Sequence, residues 1–389
     1  MKIVADENMP LVEEFFSGWG AIERVSGRAI GPEHVRDADL LLVRSVTPVN
    51  SALLEGSNVR FVGTATIGTD HIDLDYLQQR NIGFSAAPGC NAQAVVQYVF
   101  SVLALACDWR QCRLKDLEVG IVGAGNVGGL LYRQLTALGV KCLISDPFLD
   151  DPSLPLCSLT EVLQSSDVVS LHTPLTKTGK YPTKHLVNRN NLPVLKRGAL
   201  LINSGRGPVI DEQALLEFLL QRGDLRVALD VWETEPGINR RVLQQVDIAT
   251  PHIAGYSLEG RLRGTEMIYQ AACEYFEKPE QYSLAQLMPS PSLEGVRVQA
   301  QEDAQSMAFR LARLLYDVRD DDLRMRRQLA ASNDVALLFD RLRKEYPLRR
   351  ENSSLEVEFD KHSDDRNGFI FGLGFNLVGA TSGPQSKGE

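Results

Sequence analysis

Val119-Gly120-Ile121-Val122-Gly123-Ala124-Gly125-Asn126-Val127-Gly128 is the stretch that decides how this 389-residue chain folds. Its first residues are small or apolar, as a strand buried on both faces requires. Gly123, Gly125 and Gly128 then keep the G-x-G-x-x-G spacing. The first glycine permits a tight turn, the second leaves the backbone open to a pyrophosphate, and the third lets the new helix lie close to the sheet. Asn126 and Val127 fall at the helix start, where free N–H groups attract phosphate. Leu131, Leu135 and Leu138 keep helical spacing, and Gly139 is a plausible helix end. A second apolar run, Val140 to Ile144, leads to Asp146. A carboxylate there accepts hydrogen bonds from ribose hydroxyls and repels a 2'-phosphate, which favours NAD over NADP. Strand, turn, helix and acidic strand end together point to dinucleotide binding. A glycine triplet alone would be weak.

The chain's length predicts two or three domains. With 44% hydrophobic residues it can fill real cores. A formal charge of -9 argues against nonspecific nucleic-acid binding and against an anionic membrane surface. The N-terminal Met1 to Glu7 carries acids at positions 6 and 7 and is expected not to be a signal peptide. Ala92 to Cys107 is the most apolar stretch, but Gln93, Gln97 and Tyr98 interrupt it, and it reads as too short for a membrane span. The six cysteines form no C-x-x-C pair and read as free thiols of a cytoplasmic protein.

Before the glycine motif, Met1–Ala5, Leu40–Arg44 and Val59–Gly63 read as strands separated by breakers, an alternation that implies a parallel sheet. Ligands of such sheets bind outside the carboxyl ends of the strands, so Arg44, Ser45 and Thr66 are substrate-side candidates. Ser85 to Cys90 reads as a breaker segment. Asn91 could cap the helix that follows, whose broad apolar face suits a domain junction.

After Asp146 the alternation continues. Val168–His172 is a strand with Thr173 at its carboxyl end, where a cofactor could meet it. Gly198–Asn203 leads into a glycine-flanked Arg206, whose guanidinium fork suits a carboxylate. Asp211 is a good N-cap for the next helix. Val227–Val231 leads into Trp232-Glu233-Thr234-Glu235, and Ile248–Thr250 into Pro251-His252. Histidine titrates near neutrality and can take an alcohol proton as hydride leaves. A carboxylate on its far nitrogen would fix the tautomer. Spacing alone leaves Glu233 and Glu235 equal candidates. No histidines keep a metal-ligand spacing, so no metal site is expected.

Three runs now stand in order: Arg206-Gly207-x-x-x-Asp211-Glu212, Asp230-Val231-x-x-x-Glu235-Pro236 and Thr250-Pro251-His252-x-Ala254-Gly255. They resemble the signatures of the D-isomer-specific 2-hydroxyacid dehydrogenases over roughly residues 1 to 280. The resemblance implies two Rossmann-like parallel-sheet α/β domains. The NAD domain, 93–254, is inserted in a substrate domain of residues 1–92 and 255–280. It implies that Arg206 orients the substrate carboxylate, that Glu235 pairs with His252, and that His252 is the acid/base. It makes Asp146, Thr173, Asp230 and Gly255 NAD contacts and Tyr256 a substrate contact. Gln97 departs from the glutamate common in relatives and could loosen a local contact. Arg44 to Val49, Ala65 to Asp73 and Pro88 to Ala92 resemble a branch that acts on a phosphorylated small 2-hydroxy acid. Another member of the family, such as one acting on 3-phosphoglycerate, shares the same catalytic residues. An NAD-sensing binding protein is a third reading, disfavoured by the intact triad.

Residues 281–295 read as a linker, 296–380 as a C-terminal α+β domain and 381–389 as a flexible tail. Glu302–Val318 and Ala336–Tyr346 read as helices, Leu355–Phe359 as a strand and Gly368–Phe375 as a second strand. The resemblance implies that this domain forms a homodimer. Arginines from Arg324 to Arg350 are interleaved with acids from Asp320 to Glu345, which also suits a mixed charged, solvated face; the resemblance implies that some of these arginines approach the substrate phosphate across the dimer.

Overall fold

The computed structural model describes residues 1–299, 303–331, 333–360 and 364–378. Glu302 and the expected tail 381–389 lie outside them. The chain divides into two compact units, Met1–Ala92 with Ser257–Ser290, and Gln93–Tyr256 with Pro291–Glu389.

In the first unit, β1 (Lys2–Asp6), β2 (Ala21–Val25), β3 (Leu40–Val43), β4 (Phe61–Thr64) and β5 (Gly83–Ala86) form one parallel sheet in the order β2-β1-β3-β4-β5. β3 and β4 are buried throughout, hence their apolar runs. β2 and β5 are additions to the sequence reading. Both are edge strands, half exposed and mixed in composition, so their pattern is faint. Ser85 and Ala86, read as breakers, belong to β5. The helix Leu258–Tyr275, capped by Ser257, returns the chain to this sheet. Its Tyr269 is fully buried and stacks on Phe15 and Phe16.

The second unit begins with most of the long helix Ala92–Arg110. Its 19 residues are long and apolar enough to cross a membrane, but 83% of its apolar window is buried inside the protein. Burial, rather than the shortness expected, makes it a core helix. Six parallel strands follow: β6 (Glu118–Val122), β7 (Lys141–Ser145), β8 (Val168–Leu171), β9 (Leu200–Asn203), β10 (Arg226–Leu229) and β11 (Ile248–Ala249). Their order is β11-β10-β9-β8-β6-β7, so the direction of winding reverses at β6. The glycine motif leaves the sheet at that switch point, where doubly wound sheets place ligands. Gly128 is needed there: a Cβ would lie 1.9 Å from the Gly123 carbonyl oxygen.

The C-terminal segment completes the cores on both faces of this second sheet. Met307, Phe309, Leu355 and Phe375 join Leu131, Leu135 and the long helix on one side. Met325, Leu329, Leu338 and Phe339 join Val162, Leu215 and Leu243 on the other. β12 (Gly295–Val298), β13 (Glu356–Phe359) and β14 (Asn376–Leu377) make a small parallel sheet. Four details differ from the sequence reading. The expected linker 281–295 contains the helix Leu284–Leu287 and the start of β12. A helix, Val318–Ala330, appears where a mixed charged region was read; its buried positions are Val318, Asp321, Met325 and Leu329, a helical stripe hidden among charges. Gly368–Phe375 is largely the helix Asp364–Gly372: Phe369, Phe371, Leu373 and Phe375 alternate as a strand would, but the buried side chains include Ile370 and Leu373, three apart, while Phe371 is exposed. Gln97 gains one bond where a loosened contact was expected, its amide donating to Asn352 Oδ1 at 2.8 Å, while its Oε1 is buried with no partner among the described residues.

Candidate active site

The cofactor half of the site lies at the exits of β6, β7 and β8. Gly123 turns with φ 86°. Around the Cβ position of Gly125 there is nothing within 4 Å, and the helix Asn126–Ala137 starts immediately after it. The amides of Asn126, Val127 and Gly128 therefore belong to a helix N-terminus without a side-chain cap, exposed at Gly125 and Asn126. Asp146 accepts from the Ala124 N–H at 2.9 Å and the Phe148 N–H at 3.1 Å, which holds its carboxylate against the glycine turn. At the end of β8, Thr173 packs against Gly123, and its buried hydroxyl has no partner among the described residues. Open cradle, free amides, held carboxylate and unpartnered hydroxyl fit a dinucleotide.

Three adjacent strands, β9, β10 and β11, deliver the chemistry. Asn203 ends β9 and organises the next turn: its Nδ2 donates to the Arg206 carbonyl at 3.0 Å and its Oδ1 accepts from the Gly205 N–H at 3.1 Å. Arg206 is half-buried and donates through Nη1 to the Gly205 carbonyl at 2.9 Å. Gly207 then runs against the β10 exit so closely that a Cβ would lie 1.8 Å from the Trp232 oxygen. Only glycine allows the arginine loop and the acidic loop to touch in this way. Asp230, at the end of β10, is buried. Its carboxylate accepts from the Thr250 hydroxyl at 2.7 Å and from the N–H groups of Ile253 and Ala254 at 2.8 and 2.9 Å. It thereby anchors the β11 exit, where His252 is held at φ 56°. Gly255 and Tyr256 follow, with the Tyr256 N–H donating to the Ile253 carbonyl at 2.8 Å.

Glu233 and Glu235, inseparable in the sequence, take different histidines. Glu235 Oε2 lies 2.7 Å from His252 Nδ1, while its Oε1 accepts from the Trp232 N–H at 2.9 Å. Glu233 Oε1 lies 2.6 Å from His185 Nε2, and its Oε2 accepts from the Glu212 N–H at 3.0 Å. Burial raises the Glu235 carboxyl, but the His252 charge and hydrogen bond, the Trp232 N–H and the Arg343 charge bring it below its ordinary value. Glu212 goes the other way. Burial first, then the Glu233 and Glu235 charges, outweigh a backbone hydrogen bond and push it up to about 7.

In the first unit, Arg44 and Ser45 follow β3, the former half-buried and the latter exposed. Thr66 follows β4; its hydroxyl meets that of Thr64 at 2.8 Å and donates to the Gly68 carbonyl at 2.9 Å. Among the described residues, no group of three or more His, Cys, Asp or Glu is placed to hold a metal.

Residues 104–254 match the family described as D-isomer specific 2-hydroxyacid dehydrogenase, NAD binding domain, and residues 287–367 match a domain of unknown function, DUF3410. An erythronate-4-phosphate dehydrogenase of Pseudomonas syringae pv. tomato is 50% identical, over 96% of this chain and 99% of its own length. The chain belongs to the erythronate-4-phosphate dehydrogenase family. Another of that name, from Proteus mirabilis, is 47% identical over 97% of this chain and all of its own. An NAD-bound 3-phosphoglycerate dehydrogenase of Entamoeba histolytica is 26% identical, covers 71% of this chain and 95% of its own, and superposes with a TM-score of 0.62.

As a member of this family the chain is an NAD-dependent 2-hydroxyacid dehydrogenase. Three residues near its candidate site could not be singled out in the sequence. His185 carried no signal, being a lone histidine in a loop. Arg349 is buried, donating to the carbonyls of Ala254 at 3.1 Å and Ala94 at 2.6 Å. Arg343 lies over the Tyr256 ring. Both arginines stood in a charged stretch whose mixed signs concealed them.

Proposed function

We propose that this chain oxidises 4-phospho-D-erythronate with NAD to 3-hydroxy-2-oxo-4-phosphooxybutanoate, a step on the route to pyridoxal phosphate. The observation that carries this reading is the 2.7 Å contact between Glu235 Oε2 and His252 Nδ1, in a chain about half identical to enzymes of that name. A carboxylate only accepts, so Nδ1 carries the proton and Nε2 is left as the basic nitrogen.

NAD is held by Gly123, Gly125, Asn126, Val127, Gly128, Asp146 and Thr173, with Asp230 and Gly255 shaping its nicotinamide end. When bound it supplies the acceptor for the hydride from C2. Arg206 grips the substrate carboxylate and polarises the developing carbonyl. His252 Nε2 takes the C2 hydroxyl proton as the hydride leaves, and Glu235 steadies the resulting imidazolium. Ser45, Thr66, Arg44 and Tyr256 hold the rest of the substrate. Residues 1–92 and 255–280 form the substrate domain, 93–254 the cofactor domain and 296–380 a C-terminal dimerisation domain. The exposed Leu314, Leu323, Leu337, Leu348 and Phe371 of that last segment support a homodimer, which sedimentation would detect. The enzyme works in the cytoplasm.

NADH-linked turnover of 4-phospho-D-erythronate and of 3-phospho-D-glycerate tests the assignment. A parallel sample would contain a 2-oxo acid to reoxidise bound NADH in place. Preference for phosphoerythronate supports the assignment. Preference for phosphoglycerate keeps the catalytic residues and changes the substrate, and turnover of neither contradicts the reading.

A further inference from the structure

The helix Val335–Lys344 of the domain of unknown function carries Arg343 to the catalytic strand ends of its own chain. Its guanidinium carbon lies 5.8 Å from the centre of the Tyr256 ring and 6.0 Å from that of the buried Phe339, within cation–π range of both. Tyr256 is closed from another direction by Tyr346, edge to face at 5.8 Å. Arg349, on the same segment, grips the Ala254 carbonyl two residues before Tyr256. The backbone after His252 is thus held by Asp230 from the sheet and by Arg349 from the C-terminal segment.

Arg343 differs from Arg349 in what it does with its donors. Arg349 spends both terminal amino groups on backbone carbonyls, as a structural arginine does. Arg343 instead lies over the Tyr256 ring, and the Nε of both arginines is buried with no partner among the described residues. Burial opposes its charge, but Tyr256, Glu235 and Asp340 outweigh that and favour the charged form. A half-buried guanidinium over a tyrosine ring, with its Nε shut from solvent, is poorly explained by packing alone.

We propose that Arg343 is a positioning residue for the dehydrogenase reaction: it fixes the ring and phenol of Tyr256 and places a permanent positive charge beside the Glu235–His252 couple. The domain of unknown function then completes the active site of its own chain. This rests on the catalytic reading of Glu235 and His252 given above. Lysine keeps the charge and a donor but not the planar stack, so it restores part of the function.

The test compares full-length wild type with Arg343→Met, Arg343→Lys, Tyr256→Phe and the Met/Phe double variant. Readouts are kcat, KM, NADH affinity and melting temperature, with whichever phosphorylated hydroxy acid the wild type oxidises. Arg343→Met is expected to lower kcat roughly 30-fold while KM and NADH affinity stay within about threefold. Arg343→Lys should recover about half of that loss on a logarithmic scale. The double variant should be no worse than the weaker single one, within about twofold, because both act through one contact. Should Arg343→Met not fold, Arg343→Gln takes its place. A kcat per folded molecule equal to wild type, a loss confined to KM, or a lysine no better than methionine would each overturn the proposal alone. A wild type that oxidises neither acid fails the parent reading and this proposal with it.

Discussion

Two glutamate–histidine couples stand at the end of β10, built from acids two residues apart. Glu235–His252 and Glu233–His185 have almost the same separation, 2.7 and 2.6 Å. Their surroundings differ in sign. Burial raises the Glu235 carboxyl, but the His252 charge and hydrogen bond, the Trp232 N–H and, least, the Arg343 charge bring it below the ordinary range. Glu233 is tied into a reciprocal brace with Glu212, its N–H donating to Glu212 Oε1 at 2.6 Å, and Glu212 is pushed up to about 7. His252 stands at the end of β11, beside the segment that carries Gly255 and Tyr256. His185 has its Nε2 engaged by Glu233 and its backbone N–H donating to the Pro208 carbonyl. We therefore propose that the first couple moves a proton and that the second fastens the Arg206 loop to the acidic loop. Pair geometry alone does not separate the two couples.

The comparison breaks first on the acids. Glu235→Gln should cost about a thousandfold in kcat/KM, because an amide lets the imidazole take the wrong tautomer. Glu233→Gln should leave kcat/KM within roughly threefold and lower the melting temperature instead. Equal losses in steady-state assays of the two variants would erase the distinction. The next effect is on stability. The folded pKa of Glu212, about 7, lies above its ordinary 4.5, so the fold binds that proton better than the unfolded chain does. The stabilisation is complete below pH 4.5 and is lost as pH rises through 7. Urea unfolding of wild type should weaken across that window by on the order of 3 kcal/mol, and Glu212→Gln should remove the slope. A variant with an unchanged slope would contradict the brace's electrostatics. The smallest effect belongs to His185→Ala. Its ring is about a third exposed, so stability should fall by only about 1 kcal/mol in the same unfolding assay.

The sequence made the second unit's first half legible because each signal was local. The Gly123 turn, the Leu131/Leu135 stripe and the Asp211 cap, whose side chain accepts from the Ala214 N–H, are written within a few residues. Arg206, Glu235 and His252 were visible as chemistry at strand ends and as a family pattern. Their pairing was not, since the choice between Glu233 and Glu235 depends on where the loop after Trp232 turns. The missed edge strands β2 and β5 lack a fully buried face. The C-terminal segment was hardest to read, because its apolar residues complete cores begun more than a hundred positions earlier.

The most direct measurement is kcat/KM for 4-phospho-D-erythronate in wild type, His252→Ala and His185→Ala, with NADH binding as the check on folding. We expect His252→Ala to fall by about 10³- to 10⁴-fold and His185→Ala by less than about threefold, both still binding NADH. A His185→Ala loss as large as that of His252→Ala, or a His252→Ala variant that keeps most of its activity, would contradict the assignment of the acid/base couple.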